Sequence, residues 1–173
     1  DVTFGASVNT LSAAVTSTSA TVIAITNATG FPLVGLVLID SEVVSYTGIT
    51  DNTLTGCTRG ASRLISDVVT STTAATHSNS AGVTCFTILV SDTNNGATDG
   101  DFVTFTDATP MGGNFTAAVL NLEYEILTRE GQDKYTILAR SFSNTTIAFS
   151  NVASTSADTG NGGSSTVGAY QLN

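Results

Sequence analysis

The residues of this chain that could do chemistry are few. They are a single histidine, His77; two cysteines, Cys57 and Cys85; the carboxylate pairs Asp40/Glu42 and Glu123/Glu125; and an Asp/Asn/Gly-rich run from Asp92 to Asp101. A histidine works as a general base when a third group orients it and a nucleophile faces its other nitrogen. His77 stands in "AATHSNSA", with no carboxylate close to it in sequence and no second histidine anywhere. The expectation is therefore that no residue is catalytic and that the protein is not an enzyme. Two distant cysteines and one histidine also lack the paired spacing of a tetrahedral zinc site, so no metal and no cofactor is expected.

Carboxylates at i, i+2 project from one face of a strand, where they could hold a cation or exchange protons. For Asp40/Glu42 and Glu123/Glu125 the expectation is the plainer one, a solvated strand face or hairpin corner. The 92–101 run could offer oxygens to calcium but lacks the spaced pattern closing on a bidentate Glu; a weak Ca2+ site there stays open. "GNGG" near Asn161 precedes Ser rather than Lys and no helix, which argues against a phosphate cradle. Cys57 and Cys85 are either two buried free thiols or one bridge between strands, the latter requiring Cα atoms within about 7 Å. Asn27, Asn114 and Asn144 head Asn-x-Ser/Thr triplets, meaningful only in a eukaryotic secretory setting.

The elements that must position these residues are strands. Charged residues are 11% of the 173, and the polar surface falls to Ser, Thr, Asn and Gly, a mixture that favours pleated sheet and tight turns over helix. Short extended runs recur every eight to twelve residues or so, the spacing of antiparallel sandwiches and barrels. The stretch "LIDSEVVSYTGITDNTLTGCTRG", residues 38–60, reads as a three-stranded meander turning at Asp40-Ser41 and again at 50–52. In it Glu42, Val44 and Tyr46 share a face, Gly48 and Gly56 mark strand ends or bends, and Arg59 ties down a turn or a carboxylate such as Glu42 or Asp40. Residues 61–81 read as a loop or arm with one short helical turn. The fold class expected is all-β: two small antiparallel sandwich or barrel-like modules in tandem with extended termini, over 1–90 and 91–173, divided at the Asp/Asn/Gly loop. Residues 1–20 and 164–173, with Val2, Phe4, Val167, Tyr170 and Leu172, either add strands to a neighbour or fold back on their own sheets.

A net charge of −9, with Lys+Arg 5 against Asp+Glu 14, argues against nucleic acid and against anionic membrane surfaces as partners. No apolar run reaches the roughly 20 residues that span a bilayer.

The meander "IDSEVVSYTG…TLTGCTRG" and the return "THSNSAGV" together resemble a module of structural proteins of tailed bacteriophages, especially those of marine and cyanobacterial hosts. "GDFVTFTDATPMGGNFTAAVLNLEYEI", "KYTILA" and "GNGGSSTVGAYQLN" resemble a second module of the same proteins. The departure is "ASRLISDVVTSTT", longer than the family's Gly/Thr linker between Arg59 and His77. The resemblance implies a virion structural protein present in many copies. Its partners would be other virion structural proteins, the major capsid protein or tail proteins, and copies of itself. Small size without long fibrous repeats favours a capsid decoration (cement) protein over a tail, appendage or fibre component. Readings from other classes are a hydrolase, a glycan-binding adhesin and an extracellular filament subunit. Glycan sites commonly use aromatic platforms, and the chain has no Trp and four Tyr.

If Arg59 holds the end of the meander through charge-assisted hydrogen bonds, Arg59→Ala removes about 1–3 kcal/mol and lowers the melting temperature by several degrees. An unchanged melting curve would mean a merely solvated side chain.

Overall fold

The computed structural model describes residues 2–155, 159–161 and 164–168. The chain is all-β, built from several small antiparallel sheets. The strands run in the order β1 (Val2–Gly5), β2 (Val8–Thr10), β3 (Val22–Ala24), β4 (Gly35–Ile39), β5 (Glu42–Tyr46), β6 (Gly48–Thr50), β7 (Thr53–Thr55), β8 (Ser62–Ile65), β9 (Val68–Ser71), β10 (Gly82–Cys85), β11 (Thr87–Asp92) and β12 (Phe102–Thr106). After a single helical turn α1 (Ala117–Leu120) come β13 (Glu123–Glu125), β14 (Thr128–Arg129), β15 (Lys134–Leu138), β16 (Arg140–Ser143), β17 (Ala148–Asn151), β18 (Thr159–Asn161) and β19 (Ser164–Gly168).

Two cores result. The four-stranded sheet β2-β10-β4-β5 and the small sheet β3-β7-β6 enclose Leu11, Ile23, Ile25, Val37, Ile39, Tyr46, Leu54 and Val83. The five-stranded sheet β14-β15-β11-β1-β18 and the sheet β13-β12-β19 enclose Phe4, Ile88, Val90, Val103, Phe105, Tyr124, Tyr135 and Ile137. Alternation along β4, whose burial reads in-out at every step from Gly35 to Ile39, is what one buried sheet face requires. Helix α1 is confined to one turn; the Thr116 hydroxyl caps it by accepting from the Val119 N–H at 3.3 Å.

The cores are joined by one long ribbon. Val2–Gly5 pairs with β11 and Val8–Thr10 with β10, so both strands of the ribbon leave one core and enter the other, at Gly5–Val8 on one side and Cys85–Thr87 on the other. Turn chemistry places the division between modules at 90–91; among the buried side chains Cys85 belongs to the first core and Ile88 and Val90 of β11 to the second. Phe86 sits at the crossing with Val43 and Ala153, its N–H donating to Leu36 O at 3.0 Å while its carbonyl accepts from Ala139 N at 2.9 Å.

One segment differs from the sequence expectation, and at the N-terminus one of the two expected arrangements is found. Residues 62–71 form a hairpin rather than a loop with a helical turn. Ile65 stands opposite Val68 across a two-residue turn, and Ser66 and Asp67 both have positive φ (49° and 62°). The hairpin leans on β17, where the Asp67 carboxylate accepts from Phe149 N at 3.0 Å and Asn151 Oδ1 from Leu64 N at 2.6 Å. At the N-terminus, β1 and β2 pair within the chain's own sheets, and Val2 and Phe4 are buried in the second core, 3% and 0% exposed. Apolar residues in alternate positions find their cover at home. Of the expected terminal strand, Ser164–Gly168 pairs with β12; Tyr170 and Leu172 lie outside the described residues.

Phe4 meets Phe105 edge-on at a centroid distance of 4.9 Å. Phe4→Ala is expected to cost about 3–5 kcal/mol in chemical denaturation of the monomer. An arm that paired only with neighbouring copies would leave monomer stability unchanged.

Candidate functional site

The chemistry-bearing residues of the first half converge on one buried point. Glu42 begins β5, directly after the turn Asp40-Ser41, in which Asp40 takes a left-handed conformation (φ 52°) so that Ile39 pairs with Glu42. Its side chain points inward and is 0% exposed, the reverse of the solvated face expected for it. Oε1 accepts from Arg59 Nε at 2.8 Å and from the Gly60 N–H at 2.8 Å. Oε2 accepts from Arg59 Nη2 at 2.7 Å and from the Ala75 N–H at 2.9 Å, and lies 2.8 Å from His77 Nε2. The other ring nitrogen of His77, Nδ1, lies 2.7 Å from Asp40 Oδ2. Each ring nitrogen of His77 thus faces a carboxylate oxygen.

Arg59 uses the rest of its guanidinium to hold the chain around it. Nη1 donates to Ser17 O at 2.7 Å, and Nη2 also donates to Ala75 O. The strap 72–77 is thereby pinned along its length. Thr72 Oγ1 donates to Ala61 O at 2.9 Å and accepts from Val43 N at 2.9 Å; His77 and Val15 exchange backbone hydrogen bonds at 2.9 Å each way. Gly60 is required at its place: its φ is +62°, and a Cβ there would stand 2.9 Å from Thr72 O. The motif residues "DSE", "TRG" and "TH" thus close one clamp joining the β4–β5 hairpin, the turn after β7, the strap and the loop around Ser17.

Burial is the largest influence on the Glu42 carboxyl and pushes its pKa up. The donors from Arg59, Ala75, Gly60 and His77 together outweigh it and hold the group down at about 2. The Glu42 carboxyl stays ionised at neutral pH, and donors occupy both of its oxygens. His77 has an orienting carboxylate, Asp40, as a catalytic pair would, but its second nitrogen faces Glu42 where a nucleophile would have to stand. Asp40 alone reaches solvent, its side chain 59% exposed.

The remaining candidate residues fall elsewhere. Tyr46 is fully buried in the first core and donates its hydroxyl to Pro32 O at 2.7 Å. Gly48 opens β6, close against the Thr55 hydroxyl, and Gly56 turns the chain after β7 at φ +60°. Cys57 and Cys85 are buried free thiols, pushed up by burial to about 11 and about 12, and so are protonated and unreactive at neutral pH. In the 92–101 loop the carboxylates turn to separate donors. Asp92 accepts from Tyr135 and Ser165 hydroxyls, Asp99 from Arg129 N, and Asp101 from Thr98 N and Oγ1. Glu123 and Glu125 flank the buried Tyr124 on β13. No helix among the described residues is long and apolar enough to cross a membrane.

The pairing of Glu42 with His77 across 35 residues, and of Asp40 with His77 across 37, is what sequence reading missed. The available signal was the recurrence of an acid, an arginine and a histidine inside three short polar motifs at the ends of apolar strands. Compared with protein-family models, with curated proteins and with solved structures, the chain matches none.

A carboxyl whose pKa is lowered on folding adds stability above its unfolded value near 4.5, and that stability is lost as pH falls towards 2. The contribution is on the order of 3 kcal/mol. Glu42→Gln strands the buried Arg59 and is expected to cost about 3–5 kcal/mol at pH 7. The gap between wild type and variant in urea denaturation should narrow steadily from about pH 4.5 downwards. A gap independent of pH over that window would show that Glu42 is not the titrating group.

Proposed function

We propose that the chain is a structural protein of a tailed-phage virion, and within that class a capsid decoration (cement) protein that stabilises the particle through contacts between subunits. The observation that carries this reading is the clamp. The motifs that resemble the phage modules are the ones whose Glu42, Arg59 and His77 hold one another, shielded from solvent, with Asp40 alone of the cluster reaching it. Residues used in this way serve shape. The reading therefore includes that the protein acts without catalysis.

Other features support a particle component. Two packed cores share one ribbon, and a strongly acidic composition keeps many copies clear of nucleic acid. Repetition on a symmetric surface lets modest contacts act together through effective concentration. The partners in this reading are the major capsid protein and further copies of the chain.

Particles purified from the source of the sequence test the reading. Mass spectrometry should find the chain in many copies per virion, and antibody labelling in the electron microscope should cover the head. Label confined to the tail would replace decoration by a tail or appendage role, and absence from purified particles would overturn both.

A further inference from the structure

Away from the clamp, two further arginines border one cavity. A cavity of about 350 Å3 opens beside hairpin β8–β9, its wall formed in part by Arg63, Leu64, Val69, Leu127, Leu138 and Arg140. Among the described residues neither arginine forms an ion pair, and Glu125, which also borders the cavity, forms none with them. The Nε–H groups of Arg63 and Arg140 are both shielded from solvent and have no acceptor among the described residues. Arg140 is held in position all the same. Its Nη2 donates to Glu123 O at 2.7 Å, and its guanidinium lies 4.5 Å from the Phe149 ring centre. A shielded donor without an acceptor is unfavourable until one arrives, and a guanidinium is shaped to receive a carboxylate.

The second observation is the strand beside the cavity. Among the described residues β9 pairs with β8 on one side and with no other strand, and all four of its residues are exposed, with Val68 and Val69 at 62% and 74%. Edge strands are commonly protected by lysine, proline or a bulge. β9 has the sequence VVTS and carries none of these.

We propose that the β9 edge and the Arg63/Arg140 cavity form one docking site for an extended acidic segment of a partner polypeptide. The segment adds as a strand along β9, and where it passes Val69 a Glu or Asp side chain enters the cavity and accepts from the two guanidinium groups. Main-chain pairing supplies attachment, and the carboxylate supplies selectivity. In a chain of net charge −9, two arginines that form no ion pair among the described residues, Glu125 beside the cavity included, favour a negative partner. The site stands apart from the virion reading and would serve any assembly in which the chain takes part.

Two synthetic peptides test it, acetyl-Thr-Val-Glu-Val-Thr-amide and the same peptide with Gln in place of Glu. They are titrated into the full chain while the arginine Nε–H and backbone amide signals are followed by NMR. Saturable shifts are expected at Arg63 and Arg140 Nε–H and along β9, with the Gln peptide about tenfold weaker or worse. Arg129, whose Nε–H already donates to Gly131 O, should not respond. Arg63→Gln, which removes no internal partner, should abolish the preference for Glu while leaving the amide spectrum folded. Equal binding of the two peptides, no saturable binding, or unchanged preference in Arg63→Gln would overturn the proposal. So would N-acetylglutamate binding as tightly as the Glu peptide, because the strand would then contribute nothing.

Discussion

The structure of the first half depends on the burial of one negative charge. Withdrawing a carboxylate from water costs several kcal/mol, offset only if donors surround it closely. Glu42 is surrounded by five, contributed by the turn after β7, by the strap 72–77 and by His77. None of these segments can move without leaving part of the charge uncompensated. The clamp need not raise net stability over an apolar cluster of the same volume; its effect is to make one arrangement of the four segments far better than any near alternative.

That constraint reaches beyond its immediate neighbours. Ala61 and Thr72, which bracket the β8–β9 hairpin, are bonded to each other and to Val43, the residue after Glu42. Glu42 faces the clamp while Val43 packs at the crossing between the cores with Phe86 and Ala153. One strand therefore ties the charged cluster to the junction. The ribbon of β1–β2 and β10–β11 completes the link, because both of its strands pass from one core into the other. The hairpin that grows out of the clamp is held at its tip by β17, where Ser66 N donates to Ser150 Oγ and Asp67 exchanges hydrogen bonds with Phe149, while its β9 edge is exposed.

Within the clamp, the titratable groups are used on one another. His77, Glu42 and Arg59 would be natural components of an active centre if they met at a cleft, but here they meet beneath a strap that is itself part of the cluster. Burial decides between the two uses of the same residue types, since a group with all its acceptors or donors occupied has nothing to offer a substrate.

What the sequence determined by itself was local. The reversal at Asp40-Ser41, the apolar alternation of β4, the turns of the meander and the all-β class follow from neighbouring residues, because a turn needs its own two or three side chains and a strand its own alternating pattern. Arg59 beside Glu42 was also within reach, two opposite charges at the ends of strands in one meander. The tertiary structure alone decided that Glu42 is buried, that His77 is the third member of the cluster, that residues 62–71 form a hairpin against β17, and that Val2 and Phe4 complete the second core rather than the first. Each of these depends on groups far apart along the chain that are brought together only when both cores close. A buried charge or an apolar end strand finds its partners in the packed molecule, and no pattern among near neighbours specifies which partners those are.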